Sequence, residues 1–454
     1  MSKWPRKTIA ECASDEPYST QIGPFGKALT PKEYTSSGVP LLRGVNVNHG
    51  RFYDDGFVFI SEETADRLSK FESYPDDVLL VHKGTLGQIG LMPKDRKYPR
   101  YIMGNSMLRV RCDPTKLIPE YLYYWLSSPD GQHYLFSRVS QVGVPQIQRP
   151  LTTLRETSLL VPPLPEQKAI AAILSALDDK IELNRRMNET LEAMARAIFK
   201  DWFVDFGPTR AKQEGRAAYL PEPLWSLFPD AIDEETGLPM RWEERTLGEV
   251  STKITKGTTP RKADSLSASR SDELVNFLRV NAISDNGFII WDKLEKIPES
   301  IHLGSLKRSV LEKKDILYTI AGTIGRVAVV DGMLLPANTN QAIAIIRTNL
   351  EMIPNLFLYL LLSDKNFQEK LHSKIVHAVQ ANLSLSVLSG THAIFPPRET
   401  IFRLFAPVES FIFKIQQNNQ ESRTLAELRD RLLPKLMSGE VRVKEAEKMV
   451  EDAV

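Results

Sequence analysis

The sequence predicts an α+β protein in which one α/β unit occurs twice and each copy is followed by a long helix. Three observations lead to this prediction. The two halves align with each other, short Val, Ile and Phe runs bounded by turn residues fill the first part of each half, and a segment almost free of Gly and Pro ends each half. With 454 residues, 42% of them hydrophobic and 25% charged, the chain can bury several ordinary globular cores.

The internal repeat is visible at a shift of 238 residues, with small gaps toward the end of each half. One match can arise by chance, but matches in the same order over most of both halves indicate two diverged copies. The matching segments are Trp4–Thr8 with Trp242–Thr246, Asp77–Leu80 with Asp315–Tyr318, Gly84–Gly87 with Gly322–Gly325, Ile118–Leu126 with Ile353–Leu361, and Pro162–Pro163 with Pro396–Pro397.

The repeat and the proline positions predict the domain boundaries. A stretch with five prolines and a cluster of acidic residues separates the copies, which is typical of a connector with local structure at most. The predicted segments are a first globular domain at 1–163, a first long helix at 164–206, the connector at 207–241, a second globular domain at 242–397, a second long helix at 398–445 and a tail at 446–454.

The two long segments, Glu166–Phe203 and Glu399–Leu433, have the length of helices of about ten turns, roughly 55 Å. Their apolar residues alternate at spacings of four and three, which predicts coiled-coil seams. We predict that the two helices pack antiparallel. In an antiparallel pair only the central layers are equivalent, and the globular domains lie at opposite ends, roughly 50 to 60 Å apart, which exceeds one DNA turn of about 34 Å. The seam residues are Ile170, Leu174, Leu177, Ile181, Leu191, Ala195, Ile198 and Trp202, and Leu404, Val408, Phe411, Ile415, Leu425 and Leu432.

Polar residues interrupt both seams at the same place, 234 residues apart: Asn184 and Asn188 in the first, Asn418 and Ser422 in the second. Two interpretations remain open. The seam either rotates into solvent there, or it buries an asparagine that fixes the register of the helix pair. In the second case Asn184 and Asn418 meet near the midpoint of the pair.

Several function classes lack the residues they need. No apolar run is long enough for a membrane span or a secretion signal, and the only cysteines, Cys12 and Cys112, form no CxxC pair, so a reducing cytoplasm is expected. Neither Gly-Thr-x-Gly element has the lysine of a phosphate-binding loop, and Phe395-Pro-Pro-Arg398 lacks the amide and the aromatic residue of a methyltransferase turn.

A nuclease site and a zinc site are also disfavoured. After Pro75-Asp76 the position of a second metal-binding carboxylate is taken by His82, and the seven histidines form no His-x-x-x-His pair. We therefore expect a protein without catalytic residues and without a metal of its own.

Binding is the class that remains, although the net charge of +1 favours no partner by itself. Basic groups occur in both copies and can neutralise phosphates, and the polar residues before each Pro-Pro junction can read base edges. Each group taken alone is also compatible with a solvated face, and the junction residues with a structural turn. The candidates are Lys94, Arg96, Lys97, Arg100, Tyr101, Arg109, Gln146, Gln148 and Arg149, and Lys253, Lys256, Thr258, Arg261, Lys262, Gln380 and Asn382.

The first long segment and its flanks carry a family resemblance. Pro162-Pro-Leu-Pro-Glu-Gln-Lys-Ala-Ile170, Leu177-Asp-Asp-Lys-Ile181 and Phe199-Lys-Asp-Trp-Phe-Val-Asp-Phe206 strongly resemble the central conserved region of the specificity subunit of type I restriction-modification systems. The connector, with Leu227-Phe-Pro229 and Gly237-Leu-Pro-Met-Arg-Trp242, resembles the same family. The second copy departs from it, because Pro396-Pro-Arg-Glu399 lacks the Pro-Glu-Gln of the first.

This resemblance implies two target-recognition domains that each read one half of a split double-stranded DNA target. It also implies that the helices set the spacing and dock two methyltransferase subunits, with translocase and endonuclease subunits joining the complex. AdoMet, ATP and Mg²⁺ would belong to those partners, and the chain itself would be non-catalytic. Two alternatives stay open: a specificity subunit of a methyltransferase-nuclease fusion, and a coiled-coil scaffold that reads no DNA.

Overall fold

The computed structural model describes residues 4–48, 51–140, 144–260, 273–375 and 382–452. The chain divides into two compact units, of which the first comprises residues 1–186 and 418–454 and the second residues 187–417. Each unit therefore combines one globular domain with part of both long helices. Both units contain helices and sheets, which confirms the predicted α+β class.

The strands of the first globular domain are short, as the brief apolar runs between Gly and Pro predict. They are β1 Arg6–Thr8, β2 Thr20–Ile22, β3 Tyr34–Thr35, β4 Val39–Leu42, β5 Val47–Asn48, β6 Arg51–Phe52, β7 Val58–Ile60, β8 Val78–Val81, β9 Ile89–Leu91, β10 Ile102–Met103, β11 Met107–Val110, β12 Val139–Ser140, β13 Gln146–Ile147 and β14 Ser158–Leu160.

Two sheets of four strands organise this domain. The first has the order β2-β11-β8-β9 and is antiparallel throughout, while the second has the order β10-β4-β7-β3 with β10 parallel to β4. The strands β1 and β14 pair separately, and so do β5 with β6 and β12 with β13. The helices are Ile9–Cys12, Glu62–Arg67, Pro119–Ser127, Pro129–Phe136 and Pro150–Glu156, with 3-10 turns at Gly26–Ala28, Pro31–Glu33, Gly44–Asn46 and Ser69–Phe71.

The second globular domain repeats this strand order. Its strands are β15 Glu243–Thr246, β16 Ser251–Lys256, β17 Leu274–Leu278, β18 Glu295–Pro298, β19 Ile316–Thr319, β20 Val327–Val329, β21 Ala337–Thr339, β22 Ile343–Thr348 and β23 His392–Phe395. The sheet β16-β22-β19-β20 corresponds to β2-β11-β8-β9, and the pair β15-β23 corresponds to β1-β14. The parallel pair β17-β21 matches β4-β10. The internal repeat predicted from the sequence is therefore confirmed at the level of topology.

The helices of the second unit also follow those of the first. Asn355–Ser363 and Lys365–His372 correspond to Pro119–Ser127 and Pro129–Phe136. The other short helices among the described residues of this unit are Gly207–Gln213, Glu222–Trp225, Glu299–Leu303 and Leu385–Ser389. The 3-10 turns are Val280–Ala282, Trp291–Lys293 and Lys307–Ser309. The predicted connector thus holds two short helices, and its Phe228 is buried in the main core of the second unit.

The long helices span Leu164–Phe199 and Arg398–Ser438, which are 36 and 41 residues. The first continues as a π-helical turn, Lys200–Val204, that buries Trp202 and Phe203. The predicted end of the second helix at residue 445 is wrong, because Gly439 adopts a φ of 71° and the chain turns there. Most of the predicted tail forms a separate helix, Val443–Glu451.

In the first unit, segments of both long helices are buried in the core of the globular domain. Ile170, Leu174 and Leu177 share this core with Leu425 and Leu432. Burying one leucine stabilises a fold by roughly 1.5 to 3 kcal/mol, so a helix stripe of this kind holds the unit together. The polar contacts along it run in opposite directions: Glu166 meets Arg442 at 3.2 Å, Asp178 meets Arg429 at 2.6 Å, and Lys180 meets Glu421 at 3.4 Å.

The second unit is built in the same way from the other halves of the helices. Ala195 and Phe199 of the first helix lie in one core with Leu404 and Val408 of the second, and Phe357 of the globular domain completes this core. The rings of Phe199 and Phe357 meet edge to face with their centroids 5.2 Å apart.

The start of each long helix is fastened to its own domain by one polar side chain. Gln167 is fully buried, and its amide donates to the carbonyls of Pro162 at 2.8 Å and Lys116 at 3.2 Å, while its oxygen accepts from the Ile118 amide at 2.8 Å. In the second copy the Arg398 guanidinium donates to the carbonyl of Glu351, the position equivalent to Lys116. Arg398 does not occupy the position equivalent to Gln167, but it makes one of the three contacts that Gln167 makes in the first copy.

No helix among the described residues is long and apolar enough to cross a lipid bilayer.

The Asp178–Arg429 ion pair tests the opposed direction of the helix segments. We expect Asp178→Ala and Arg429→Ala to show a coupling of about 1 kcal/mol or more in a double-mutant cycle on chemical unfolding, because the pair is partly buried and Tyr124 also donates to Asp178 at 2.8 Å. The control cycle pairs Arg429 with the exposed Asp430, where we expect a coupling close to zero. Equal coupling in both cycles would contradict the arrangement.

Candidate nucleic-acid interface

In the first unit, four segments converge at one end of the sheet β2-β11-β8-β9. The end is formed by the Gly84–Gly87 turn between β8 and β9, and we call it the turn end. The backbone connects the segments: the Gly23 amide donates to Met107 O at 2.9 Å, the His82 amide to Ser106 O at 2.9 Å, and the Ile147 amide to His82 O at 2.9 Å. The residues next to the Pro-Pro junction are thereby held against the glycine turn.

The second unit has a turn end with the same hydrogen bonds. The Gly257 amide donates to Ile343 O at 3.0 Å, the Ile320 amide to Ala342 O at 2.8 Å, and the Leu383 amide to Ile320 O at 2.9 Å. Each donor and acceptor is the counterpart of one in the first unit. The two copies therefore present equivalent loops in equivalent positions.

Glycine is required inside both turns. Gly87 has a φ of 77°, and a Cβ there would lie 2.5 Å from Gln132 Oε1; Gly325 has a φ of 100°, and a Cβ would lie 2.7 Å from Gln368 Oε1. Gln132 donates to Gly87 O at 3.0 Å and Gln368 to Gly325 O at 2.6 Å. One glutamine from the neighbouring helix thus fixes each turn.

His82 lies below the first turn and is buried. Its Nε2 is 3.2 Å from Asn105 O, so this nitrogen must donate, and its buried Nδ1 has no hydrogen-bond partner among the described residues. Burial lowers the pKa of His82, which favours the neutral ring that this arrangement requires. His82 therefore supports the loops and does not carry the positive charge of the turn end.

The exposed side chains at the turn ends are mostly amides and hydroxyls, with a lysine in each. Such groups match base edges and phosphate oxygens. The sequence analysis missed several of these residues, because it considered the glycine turns only as phosphate-binding loops. Both turns occur at the same position of the repeat, and this recurrence could have identified them. The missed residues are Lys83, Thr85 and Asn105 in the first unit and Thr323 and Gln341 in the second.

Five of the predicted candidates lie at the turn ends. Gln146 bridges to Lys83 and, with Gln148, is exposed; Asn382 bridges to Ala321 in the second unit and is exposed as well. Lys256 and Thr258 are exposed beside Gly257. Arg149 is also exposed and follows Gln148 directly, with a φ of 43° at the start of the helix Pro150–Glu156. The structure thus brings Gln146, Gln148 and Asn382 together with the turns.

The basic residues Lys94, Arg96 and Lys97 of the first unit lie away from the turn end. Val78 pairs with Leu91 at the opposite end of the β8-β9 hairpin, and Lys94 lies just beyond, with its Nζ 3.5 Å from Asp76. A four-residue strand of about 13 Å separates it from the glycine turn. Lys97 is exposed in the same loop, while Arg96 is half-buried and its guanidinium donates to backbone carbonyls.

Arg100, in the same loop, is engaged by three carboxylates. Its guanidinium contacts Glu62 at 2.9 Å, Asp66 at 2.8 Å and Glu72 at 3.1 Å. Hydrogen bonds to these carboxylates raise the pKa of Arg100, so its charge is already balanced inside the protein. A phosphate would have to compete with all three.

Two predicted surface residues are corrected by the structure. Arg109 is 2% exposed, and its guanidinium donates to the carbonyls of Tyr18 and Glu72. Tyr101 is fully buried and donates to Asp54 at 2.5 Å. Both side chains lie inside the domain, where they satisfy buried oxygens and cannot form an outer surface.

The end of the sheet opposite the turn end also holds an ion pair, and this pair occurs in both units. Arg111 binds the buried Asp77 with two hydrogen bonds of 2.9 and 3.1 Å, and Arg347 binds Asp315 with two of 2.8 and 2.9 Å. Burial raises the pKa of Asp77 in spite of these partners. This end of each sheet is thus a structural salt-bridge site.

Of the remaining candidates of the second unit, only Lys253 lies among the described residues. Lys253 is half-buried, and its Nζ is 3.4 Å from Arg308 O. Arg261, Lys262 and Gln380 lie outside the described residues.

Three of the four polar residues of the helix seams are buried and Ser422 is half-buried, which contradicts a seam that rotates into solvent there. Asn184 and Asn418 are each 1% exposed and Asn188 is 4% exposed. Asn184 Nδ2 lies 2.8 Å from Glu421 Oε2, 3.3 Å from Ser422 Oγ and 3.4 Å from Asn418 O. The expected meeting of Asn184 with residue 418 is therefore observed in the first unit.

Within the described part of the chain, no group of three or more His, Cys, Asp and Glu side chains is arranged to hold a metal ion.

Comparison with known proteins gives the family. A family model for the type I restriction modification DNA specificity domain matches residues 22–193 and 239–422, one match for each repeat. The chain belongs to this family.

Relatives match over most of the chain. The specificity subunit of the type I restriction enzyme MjaIX from Methanocaldococcus jannaschii is 25% identical over 97% of this chain and 93% of its own length. That of HindI from Haemophilus influenzae is 27% identical over 76% of this chain and 83% of its own length. The crystal structure of a type I restriction-modification S subunit from M. genitalium aligns with a TM-score of 0.53 at 18% identity and covers 96% of each chain, which supports the fold.

We expect Lys83 to contact DNA and Lys94 not to contact it. Lys83→Ala should weaken binding of DNA that contains the target and reduce the salt dependence by about one counterion, because one phosphate contact is lost. Lys94→Ala removes the same charge from the far end of the sheet and should leave both quantities unchanged. Fluorescence anisotropy over a salt series measures both. A loss confined to Lys94→Ala would contradict the assignment.

Proposed function

We propose that this chain, the specificity subunit of a type I restriction-modification system, reads a bipartite DNA target with one turn end for each half. The observation that carries this proposal is the pair of equivalent turn ends, each held by the same three backbone hydrogen bonds. A fixed backbone with exposed amide and hydroxyl groups suits direct reading of base edges in the major groove.

The side chains at the two turn ends differ, so the two half-sites should differ in sequence. Lys83 corresponds to Ala321, Asn105 to Gln341, and Gln146 to Asn382. Exchanging Asn for Gln moves the amide by one methylene, which changes the base that it reaches from the same backbone. Thr85 and Thr323 are the same in both copies and suit contacts to the phosphate backbone.

The long helices act in this proposal as the spacer between the half-sites. An antiparallel coiled coil is supported by the opposed contacts in the first unit and by the mixed helix core of the second. The buried Asn184, bonded to the second helix, would penalise a shifted register, because a shift would leave its amide unsatisfied. Asn188, Asn418 and Ser422 extend this polar layer.

The first long helix also offers a surface for partner subunits. Met187 and Met194 lie about two helical turns apart in the second unit and are 37% and 45% exposed. Exposed apolar stripes of this kind mark protein contacts, and methionine adapts well to a partner surface. We assign this stripe to two methyltransferase subunits, through which the translocase and endonuclease subunits join.

Catalysis belongs to those partners in this proposal. AdoMet would bind the methyltransferase subunits, and ATP and Mg²⁺ the restriction subunits. This chain contributes sequence choice and geometry, and the assembly acts on DNA in the cytoplasm.

Exchange of one recognition domain tests the reading of separate half-sites. Replacing residues 1–163 by the equivalent domain of a relative should change one half of the methylated sequence and leave the other half and the spacing intact, because each turn end is complete within its own unit. The matched control replaces 242–397 and should change the opposite half. Mapping methylated adenines by sequencing gives the readout, and a change in both halves after one exchange would refute independent reading.

The separation of recognition from catalysis has its own test. The purified chain with AdoMet, ATP and Mg²⁺ should neither methylate nor cleave target DNA, whereas addition of the methyltransferase subunits should start methylation. Transfer of labelled methyl groups to DNA is measured in both cases. Methylation by the purified chain would disprove the assignment.

A further inference from the structure

A cleft of about 780 Å³ opens in the first unit between the globular domain and the end of the second long helix. Its floor contains the buried side chains of Trp125 and Met437, and its rim carries Arg6, His133 and Arg138. The remaining lining residues are Asp130, Tyr134, Ser137, Ser158, Leu160 and Ser438. Neither the turn end nor the polar layer of the helices uses this cleft.

The position of Arg6 follows from the register of the two-stranded sheet. Arg6 pairs with Leu160, and Ser158 lies two residues away on the same strand, so all three side chains project from one face. That face lines the cleft. Apolar and hydrogen-bonding groups therefore alternate along one wall, with a cation at its edge.

The two arginines of the rim are not neutralised within the protein. Neither Arg6 nor Arg138 forms an ion pair with any carboxylate in the part of the chain that the structure describes. Arg138 stacks on the Tyr134 ring, with its guanidinium carbon 4.2 Å from the ring centroid, which holds the charge at the rim. Asp130, in the first turn of its helix, is the single carboxylate of the lining.

At the equivalent place in the second unit, charged side chains pair with each other. Glu244 stands where the first unit has Arg6, and Lys370, the counterpart of Tyr134, pairs with it at 3.7 Å. The Lys370 ammonium also donates to His392 O at 2.9 Å, and Lys374, the counterpart of Arg138, lies 3.4 Å from Thr391 Oγ1. The repeat therefore supplies an internal comparison: in the second copy one lysine is paired with a carboxylate and the other donates to a hydroxyl, whereas the arginines of the first copy have no carboxylate partner among the described residues.

We propose that this cleft binds an acidic peptide segment of a partner protein, in which carboxylates meet Arg6 and Arg138 and an apolar side chain reaches Trp125 and Met437. Charge complementarity favours this occupant, because unpaired arginines at a cleft rim gain bidentate partners from carboxylates. The recessed apolar floor favours a peptide over duplex DNA, whose phosphates lie on a convex surface and gain nothing from an apolar floor. The equivalent positions of the second unit carry Glu244 and Lys370 as an ion pair, so we expect this contact at the first unit and not at the second.

The test uses the full-length chain and a fluorescein-labelled peptide of alternating Glu and Leu residues. Fluorescence anisotropy should detect binding, and Arg6→Glu/Arg138→Glu should weaken it at least about tenfold by reversing both rim charges. The matched control, Lys32→Glu/Lys70→Glu, reverses two exposed lysines of the same domain outside the cleft and should bind as the unaltered chain does. Arg6→Lys/Arg138→Lys keeps the charges and should retain most of the affinity.

Other outcomes overturn the proposal. It is wrong if the peptide does not bind the unaltered chain, if a Gln-Leu peptide binds equally well, or if both charge reversals weaken binding alike. A parallel titration with target DNA separates the sources: loss of DNA affinity in Arg6→Glu/Arg138→Glu, with unchanged peptide binding, would assign the cleft to DNA. The domain exchange measures half-site reading independently. A failure of peptide binding therefore does not affect the test of half-site reading, and a failure of half-site reading does not affect the peptide test.

Discussion

The rest of the structure depends on the burial of the long helices in the same cores as the globular domains. Ile170 and Leu432 lie in one core with Trp125 and Leu159, and Phe199 and Leu404 lie in one core with Phe357 and Phe395. A solvent-exposed helix of this length would gain little from helix propensity alone, since most helical stability in proteins comes from packing an apolar face. Each half of the helix pair is therefore stabilised by the domain it carries.

This shared burial also explains the polar contacts at the helix starts and along the seams. Gln167 forms hydrogen bonds with three backbone groups that would otherwise be buried without partners. Leaving one such group without a partner costs roughly 1 to 3 kcal/mol. Tyr124 and Tyr359, which correspond in the two copies, each donate to a helix carboxylate, Asp178 and Glu192, at 2.8 and 3.3 Å. Apolar packing holds the helices in place, and these directional contacts restrict their orientation.

The charges are distributed unevenly over each recognition domain, and their distribution decides what they do. At the far end of the sheets, Arg100, Arg111 and Arg347 are each bound by at least two carboxylates, so these cations stabilise the domains. At the turn ends, the exposed side chains are mostly amides and hydroxyls, with one lysine in each, on a backbone fixed by Gln132 and Gln368. A basic segment in a sequence is thus weak evidence for a binding surface until its partners are known.

The sequence by itself determined the duplication, the α+β class, the two long helices and the family. These features depend on periodicity and on motifs such as Pro162–Gln167, which are local in the chain and survive divergence of the copies. It also predicted that residues 184 and 418 meet, because the polar interruption recurs at the same shift. The second helix end was misplaced, since no pattern distinguished Gly439 from a tolerated helical glycine.

Only the tertiary structure decided which candidates form a surface. Arg109 and Arg111 are two residues apart and chemically identical, yet the fold buries one among carbonyls and joins the other to Asp77. Gln146 comes to lie beside Lys83, 63 positions earlier, through a bridge between distant segments. Contacts of this range depend on how sheets and loops pack, and a single sequence carries no local signal for them; burial and ion pairing, which set the free energy of a charged group, arise only from that packing.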